Sequence, residues 1–201
     1  MIELNLKVNG VKDKYEICND WSEATVEQFM KFSAIDFKAK TEIETLVDVI
    51  SAFSSISPDE LLLIPAKKFM KIIDAMEFTK SKLPEVEKDS IIINDEEYFL
   101  KKDFKDLNTG EMISINMIIE QGDDNLNRVI DKLLCIFLRK KVDGEIEVFT
   151  NDMMSRCDMF KKVKITEVYE MFIFFSNIKI TSEVNIKVSS RAEKRKKGDS
   201  K

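Results

Sequence analysis

The chain has 201 residues, 44% of them hydrophobic and 34% charged, which allows one sizeable core or two small ones and excludes a chain disordered throughout. Only five glycines and three prolines are present, so a loop-rich β-sandwich is disfavoured and packed helices are favoured. The net charge is −5, and the sequence contains no histidine, which excludes every histidine-dependent catalytic site and the usual zinc ligand.

A β-hairpin is predicted at the start of the chain. Apolar and polar residues alternate over residues 2–8, Asn9-Gly10 supplies the backbone freedom of a tight turn, and the alternation resumes at Tyr15 and Ile17. The opening residues do not have the basic and apolar regions of a signal peptide, and no apolar run approaches the length of a membrane span. We therefore expect a soluble protein made in a cytoplasm, with no membrane partner.

Four helices are predicted after this hairpin. Thr25 and Gln28 have the spacing of a capping box, so the first helix should begin near Val26, and Ser57 with Glu60 repeats that spacing. Apolar residues at helical spacing indicate the two other helices. One buried stripe is expected from Ile43, Leu46, Val47, Ile50 and Phe53, and one more amphipathic stripe from Phe69, Ile72, Ile73 and Met76.

The middle of the chain looks similar to its beginning. The stretch "IIINDEEYFL" can be aligned with "LKVNGVKDKYEI" at an offset of about 83 to 85 residues, and helical patterns follow both. Matched positions share turn, aromatic or capping chemistry: Asn94-Asp95 with Asn9-Gly10, Tyr98 with Tyr15, and Thr109 one residue beyond the match of Thr25. An additional small hairpin is suggested at the Asp143-Gly144 turn.

The predicted fold class is α+β and predominantly helical, with two similar units that each consist of a β-hairpin followed by about four amphipathic helices. The first unit covers residues 1–83 and the second residues 90–180, separated by a polar, proline-containing connection. Residues 181–201 are expected to add an edge strand and then a disordered basic tail.

The last part of the chain is strongly basic. Residues 187–201 hold seven Lys or Arg against Glu193 and Asp199, a charge of +5 that leaves −10 on residues 1–186. This composition is typical of a solubilising end or, alternatively, of an arm that binds nucleic acid. The candidate nucleic-acid residues are Arg191, Lys194, Arg195, Lys196 and Lys197.

No motif for catalysis or cofactor binding is present. Glycine-rich phosphate loops, nucleophile elbows and zincin patterns are all missing from the sequence, so we expect no enzyme activity, no cofactor and no metal. Cys18, Cys135 and Cys157 are widely spaced and form no CxxC pair, which predicts reduced packing residues. The Asp123-Asp124 stretch favours helix capping over a calcium loop.

Methionine and phenylalanine cluster in the second half of the chain. Flexible thioethers suit either an interaction surface or ordinary core filling, and the "MFIFF" stretch is apolar on all sides of a helix, which indicates a central helix or an interface. The candidate partner-binding residues are Met153, Met154, Met159, Phe172, Phe174 and Phe175.

The opening "MIELNLKVNGVKDKYEI", the following "DWSEATVEQFMKF" and the helical patterns up to "YEMFIFFSNIKI" resemble small virion and tail-assembly proteins of tailed bacteriophages. The chain resembles, in particular, the structural or cargo proteins of crAss-like phages and the tail-assembly chaperones. The resemblance implies a non-catalytic protein that contacts other phage virion or tail proteins, in the host cytoplasm during assembly or in the particle. The second hairpin unit departs from simple tail chaperones, which are often smaller. A nucleic-acid-associated protein that uses the basic tail is the alternative.

Overall fold

The structure, a computed structural model, describes residues 1–8, 11–86, 88–101, 107–122, 125–171 and 173. Within these ranges the protein is mixed α/β, with eight helices and small antiparallel sheets, so the predicted combination of helices with short strands is confirmed. No helix in these ranges is long and apolar enough to cross a membrane. The predicted edge strand and basic tail of residues 181–201 lie outside the described residues.

The first half begins with the predicted hairpin. Strands β1 (Ile2–Val8) and β2 (Val11–Ile17) pair antiparallel, and their alternation buries Tyr15 and Ile17. A two-stranded hairpin is only marginally stable by itself, so it needs a surface to pack on. That surface is supplied by the helices, since Ile17 also forms a β-bridge with Ser54.

Capping boxes start three of the four helices that follow. The boxes at Thr25 and Ser57 form as predicted, and Thr41 forms a further one with Glu44. Each of these side chains accepts a hydrogen bond from a backbone N–H that has no partner within the helix. The helices are α1 (Val26–Ser33), α2 (Glu42–Ala52), α3 (Pro58–Leu61) and α4 (Ala66–Ala75), and a 3-10 helix continues α4 over Met76–Lys80.

The second half has a three-stranded sheet in the order β3-β4-β5, a small hairpin of β6 and β7, and four helices. Its strands are β3 (Ser90–Ile93), β4 (Glu96–Leu100), β5 (Leu138–Arg139), β6 (Lys141–Val142) and β7 (Glu145–Ile146). Its helices are α5 (Thr109–Gln121), α6 (Ile130–Phe137), α7 (Cys157–Lys161) and α8 (165–171), with 3-10 helices at Leu126–Arg128 and Asn151–Arg156.

Both predicted turns of the second half adopt left-handed backbone conformations. Asn94 and Asp95 have φ angles of 51° and 64°, and Asp143 and Gly144 have φ angles of 54° and 87°. Two successive positive φ angles match the right-handed twist of a short hairpin, and Asn and Asp tolerate this conformation better than other side chains. The β3–β4 turn therefore forms without the glycine that stands in the first hairpin.

The N-cap of α5 is Asn108, so the expectation that Thr109 supplies the cap of this helix is wrong. The Asn108 side chain accepts a hydrogen bond from the Glu111 N–H (2.9 Å), and the Glu111 carboxylate accepts one from the Asn108 N–H (2.6 Å). Thr109 is the first residue of the helix. Thr25 and Asn108 therefore lie at equivalent positions of two capping boxes.

Replacing this cap tests the assignment directly. Asn108→Ala should lower the free energy of unfolding by about 1 kcal/mol, because an N-terminal amide of α5 loses its acceptor. Thr109→Ala is the matched control and should change it by less than about 0.5 kcal/mol. Urea denaturation followed by circular dichroism gives both values, and a larger loss for Thr109→Ala would contradict the assignment.

One continuous core joins the two halves, with α1 at the junction. The Val26 N–H donates to the Val163 carbonyl at 2.9 Å, and the Ile165 N–H donates to the Ala24 carbonyl at 2.8 Å. The ring of Phe29 packs edge-on against Tyr169, with centroids 6.4 Å apart. The first helix of the chain is therefore fixed by residues that come about 140 positions later.

An aromatic cluster fills the core of the first half. Trp21 is buried and meets four phenylalanine rings edge-on at centroid distances of 5.0 to 6.2 Å: Phe29, Phe32, Phe53 and Phe78. Its indole N–H donates to the Ser81 carbonyl at 3.2 Å. The polar end of the ring is thus satisfied while the apolar body is enclosed, as buried tryptophan requires.

Candidate protein-interaction surface

The three predicted partner-binding methionines do not form an open surface in the described part of the chain. Met153 is buried, and Met154 and Met159 are half-buried and packed against the core. The predicted residues that lie outside the described part of the chain are Phe172, Phe174, Phe175, Arg191, Lys194, Arg195, Lys196 and Lys197. Their proposed roles in partner or nucleic-acid binding stay predictions.

The described residues contain no candidate metal centre, and their most buried charges form an ion pair. No group of three or more Cys, Asp or Glu side chains in these ranges is arranged to hold a metal ion. The most buried charges form the ion pair of Glu111 and Arg139, which are 0% and 1% exposed.

The Glu111–Arg139 pair is fully hydrogen-bonded, which marks it as part of the scaffold. Glu111 also binds the Lys101 ammonium (3.2 Å), and Arg139 donates to the Ile136 carbonyl (2.7 Å) and the Glu147 carbonyl (3.2 Å). Burial raises the pKa of Glu111, but the Asn108 N–H and the two cations outweigh it and hold that pKa below its usual range. A carboxylate kept ionised by so many donors is poorly suited to transfer protons.

An open apolar groove lies between α2, α3 and α4. Its volume is about 560 Å³. Its floor is formed by the buried side chains of Val47, Leu61 and Ile64. The apolar residues around this floor are Ile43, Leu46, Ala66, Phe69, Met70 and Ile73, together with Leu62. We call this the α2–α4 groove.

The rims of the groove expose large apolar side chains to solvent. Ile43 is 64% exposed, Leu62 67% and Met70 57%. The expectation that Ile43 belongs to one buried stripe is therefore wrong, since Val47 and Ile50 of that stripe are buried while Ile43 stays exposed at the groove. Apolar rims around a concave floor are typical of sites that bind another apolar surface.

Local sequence fixes the geometry of the short α3 segment beside the groove. The Ser57 hydroxyl donates to the Glu60 carboxylate at 2.6 Å, and the Tyr15 hydroxyl donates to it at 2.8 Å. Pro58 occupies the first helical position, where a missing N–H costs nothing. The Ser57 hydroxyl and N–H and the Tyr15 hydroxyl lower the pKa of Glu60, so the carboxylate stays charged and holds α3 against the hairpin.

The charges around the groove are unevenly distributed. Helix α4 exposes Lys67, Lys68 and Lys71, which lie outside the groove lining, and its first turn has no acidic residue. Glu42 lies at the opposite wall, at the start of α2. An apolar segment with acidic flanks on its α4 side would complement this arrangement.

The sequence contained one signal for this surface. The stretch "LLL" at residues 61–63 follows a capping box and precedes Pro65, so it can form little more than one helical turn. Consecutive residues point in different directions around a helix, so a single turn with one buried side cannot bury three leucines in a row. Leu61 is buried, whereas Leu62 and Leu63 are exposed.

Comparison with known proteins adds no relative. No protein-family model, curated protein or solved structure matches this chain.

Proposed function

We propose that the protein is a non-catalytic bacteriophage virion, cargo or tail-assembly protein that acts by binding other phage proteins. The observation that carries the proposal is the α2–α4 groove, a concave apolar surface that leaves Ile43, Leu62 and Met70 open to solvent. Exposed apolar area of this kind is unfavourable in water unless a partner covers it. The assignment to phage proteins depends on the resemblance of the opening hairpin and the helices that follow it.

The occupant that fits the groove is an amphipathic helix of another phage protein. A helix in a groove presents anchors on one face, and the floor of Val47, Leu61 and Ile64 offers apolar contacts for them. The exposed Lys67 and Lys71 favour acidic residues on the side of the helix that faces α4. The partner is thus a helix with apolar anchors and acidic flanks.

The proposal includes duplication of one hairpin-plus-helices unit. Cys18 and Gln28 are in contact at 3.5 Å, and Lys101 and Glu111, each 83 positions later, are in contact at 3.2 Å. Both hairpins end in the same way, since the N–H of Cys18 donates to the Phe53 carbonyl and that of Lys101 to the Phe137 carbonyl, each at 2.9 Å. A duplicated unit gives an assembly protein a second, related face.

Charge substitutions in the groove test the proposal. Leu62→Glu and Met70→Glu should each weaken partner binding by about 30-fold or more, the effect of losing an interface residue worth about 2 kcal/mol. Binding is measured by co-purification from infected cells with mass spectrometry, followed by titration of the captured partner. Both side chains are already exposed, so the variants should fold normally.

The matched control is Val148→Glu, a substitution of another exposed apolar residue that lies in the second half. It should leave the captured partners unchanged. Equal capture by all three variants, or loss only with Val148→Glu, would contradict the proposed role of the groove. Mass spectrometry of purified particles separates the remaining alternatives, because a virion component or cargo is retained in the particle and an assembly chaperone is not.

A further inference from the structure

Two cysteines that are far apart in the sequence meet between α6 and α7. The two thiols are free, and the Cys135 thiol donates a hydrogen bond to the Cys157 sulfur, with the sulfur atoms 2.7 Å apart. Cys135 is buried and Cys157 is half-buried, so one thiol is enclosed and the other is accessible. A reagent in solution can therefore reach Cys157 first, and Cys135 is the second thiol, in contact with it.

The surroundings of the two thiols make them chemically different. The hydrogen bond from the Cys135 thiol lowers the pKa of Cys157 against the effect of burial, and the cations of Lys132 and Lys161 lower it further. The hydrogen bond to Cys157 and burial both raise the pKa of Cys135. Cys157 therefore supplies the thiolate, the form of cysteine that attacks disulfides.

A buried carboxylate next to the thiols is incompletely satisfied. Asp131 lies one helical turn before Cys135, and its Oδ1 has no hydrogen-bond partner among the described residues. Its nearest cation, Lys161, is 3.7 Å from Oδ2. Burial raises the pKa of Asp131, and its charge raises the pKa of both thiols. An unsatisfied buried oxygen is uncommon in a site that serves only for packing.

We propose that Cys135 and Cys157 form a thiol–disulfide exchange site that reacts with low-molecular-weight disulfides such as glutathione disulfide. The Cys157 thiolate attacks one sulfur of the disulfide, forms a mixed disulfide and releases one thiolate. The Cys135 sulfur, after loss of its proton, then attacks the Cys157 sulfur and releases the second. Two protein thiols are oxidised to one internal disulfide, and one small disulfide is reduced to two small thiols, which take up the two protons.

All three cysteines are free thiols, in agreement with the expectation of reduced residues, and the proposal assigns a reaction to two of them. Cys18 fits the expectation of a packing residue, because it is buried and its thiol donates to the Gln28 side chain at 3.5 Å. Burial raises the pKa of Cys18, which makes it unreactive. The protein therefore contains its own internal control for the reactivity of the other two thiols.

The test is oxidation of the native full-length protein with glutathione disulfide, followed by acid quenching, alkylation and peptide mass spectrometry. The wild type should change from three free thiols to one, at Cys18, with a peptide pair linked through Cys135 and Cys157. In Cys135→Ser the reaction should stop at a glutathione adduct on Cys157. In Cys157→Ser the attack on glutathione disulfide should be slower by roughly tenfold or more.

Three results would overturn the proposal. They are retention of all three thiols in the wild type, a mixed disulfide on Cys157 that persists in the wild type as it does in Cys135→Ser, or modification of Cys18 as fast as Cys157. The wild-type peptide map decides the question even where a serine variant folds poorly. Cys18→Ser should behave as the wild type does in every measurement.

Discussion

Glu111→Gln is expected to lower the free energy of unfolding by about 3–5 kcal/mol, the usual cost of removing one partner from a buried ion pair. The substitution keeps the size of the side chain but leaves the guanidinium of Arg139, which is buried, without its carboxylate. Chemical denaturation at neutral pH measures the loss. A second variant that replaces both partners, Glu111→Leu with Arg139→Met, should recover much of it, because no unpaired charge remains.

The pH dependence of the same pair has a defined sign. The folded-state pKa of Glu111 is lowered, so its stabilising contribution is present above the unfolded-state pKa of ~4.3 and is lost as the pH falls through the folded value. The wild type should therefore lose stability on acidification more steeply than Glu111→Gln. Parallel curves for the two proteins would show that folding leaves the pKa of Glu111 unchanged, and would contradict the prediction.

An exposed ion pair provides the control. Glu96 and Lys140 also form a salt bridge, but Glu96 is largely in solvent. Glu96→Gln should cost less than about 1 kcal/mol, because water already screens and solvates both charges. If Glu96→Gln lowered the free energy of unfolding as much as Glu111→Gln does, burial would not be the reason for the large effect expected at the Glu111–Arg139 pair.

Trp21→Ala is expected to cost about 3–5 kcal/mol, since it leaves a cavity in the middle of the aromatic cluster. The four phenylalanine rings around Trp21 come from three segments, with Phe29 and Phe32 both on α1, and cannot close the space together without moving the helices that carry them. Trp21→Phe should cost less, losing mainly the hydrogen bond to Ser81 and part of the volume. Far-ultraviolet circular dichroism is the appropriate probe, because the variant lacks the only tryptophan.

Phe37→Ala serves as the matched control for the cluster. Phe37 touches Phe32 edge-on at 5.9 Å but is itself largely exposed. Its removal should cost roughly 1 kcal/mol or less, since little area leaves the core. Similar losses for Phe37→Ala and Trp21→Ala would show that the cluster is less tightly packed than its ring geometry indicates.

Local signals in the sequence were sufficient for much of the fold. The capping boxes at Thr25 and Ser57 were predictable because a cap is decided by side chains three positions apart. The choice of Asn108 over Thr109 follows from the same rule, because Glu111 lies three residues after Asn108, whereas the residue three positions after Thr109 is Met112. Glu111 must lie three residues after the cap, and its position is also fixed by Arg139, which is 28 positions away.

The candidate site was predictable only in part, because it depends on how helices pack. The helical spacing of Ile43, Leu46 and Val47 is the same whether a neighbouring helix covers all three residues or leaves the first exposed. The 22-residue separation of Cys135 and Cys157 likewise contains no signal, since only the packing of α7 on α6 brings them together. Met153 is apolar in either interpretation of the methionine cluster, and the sequence alone does not show whether such a residue is buried in the core or exposed to a partner.

The junction at α1 has a consequence for the order in which the chain folds. During synthesis, α1 leaves the ribosome long before the Val163 carbonyl that accepts its first N–H exists. At about 5–20 residues per second, the interval is on the order of ten seconds. Through that time the apolar face that will meet α6 and Tyr169 is uncovered. The nascent protein is therefore most prone to aggregation just before its last described helix emerges, and chaperone binding during translation should peak there.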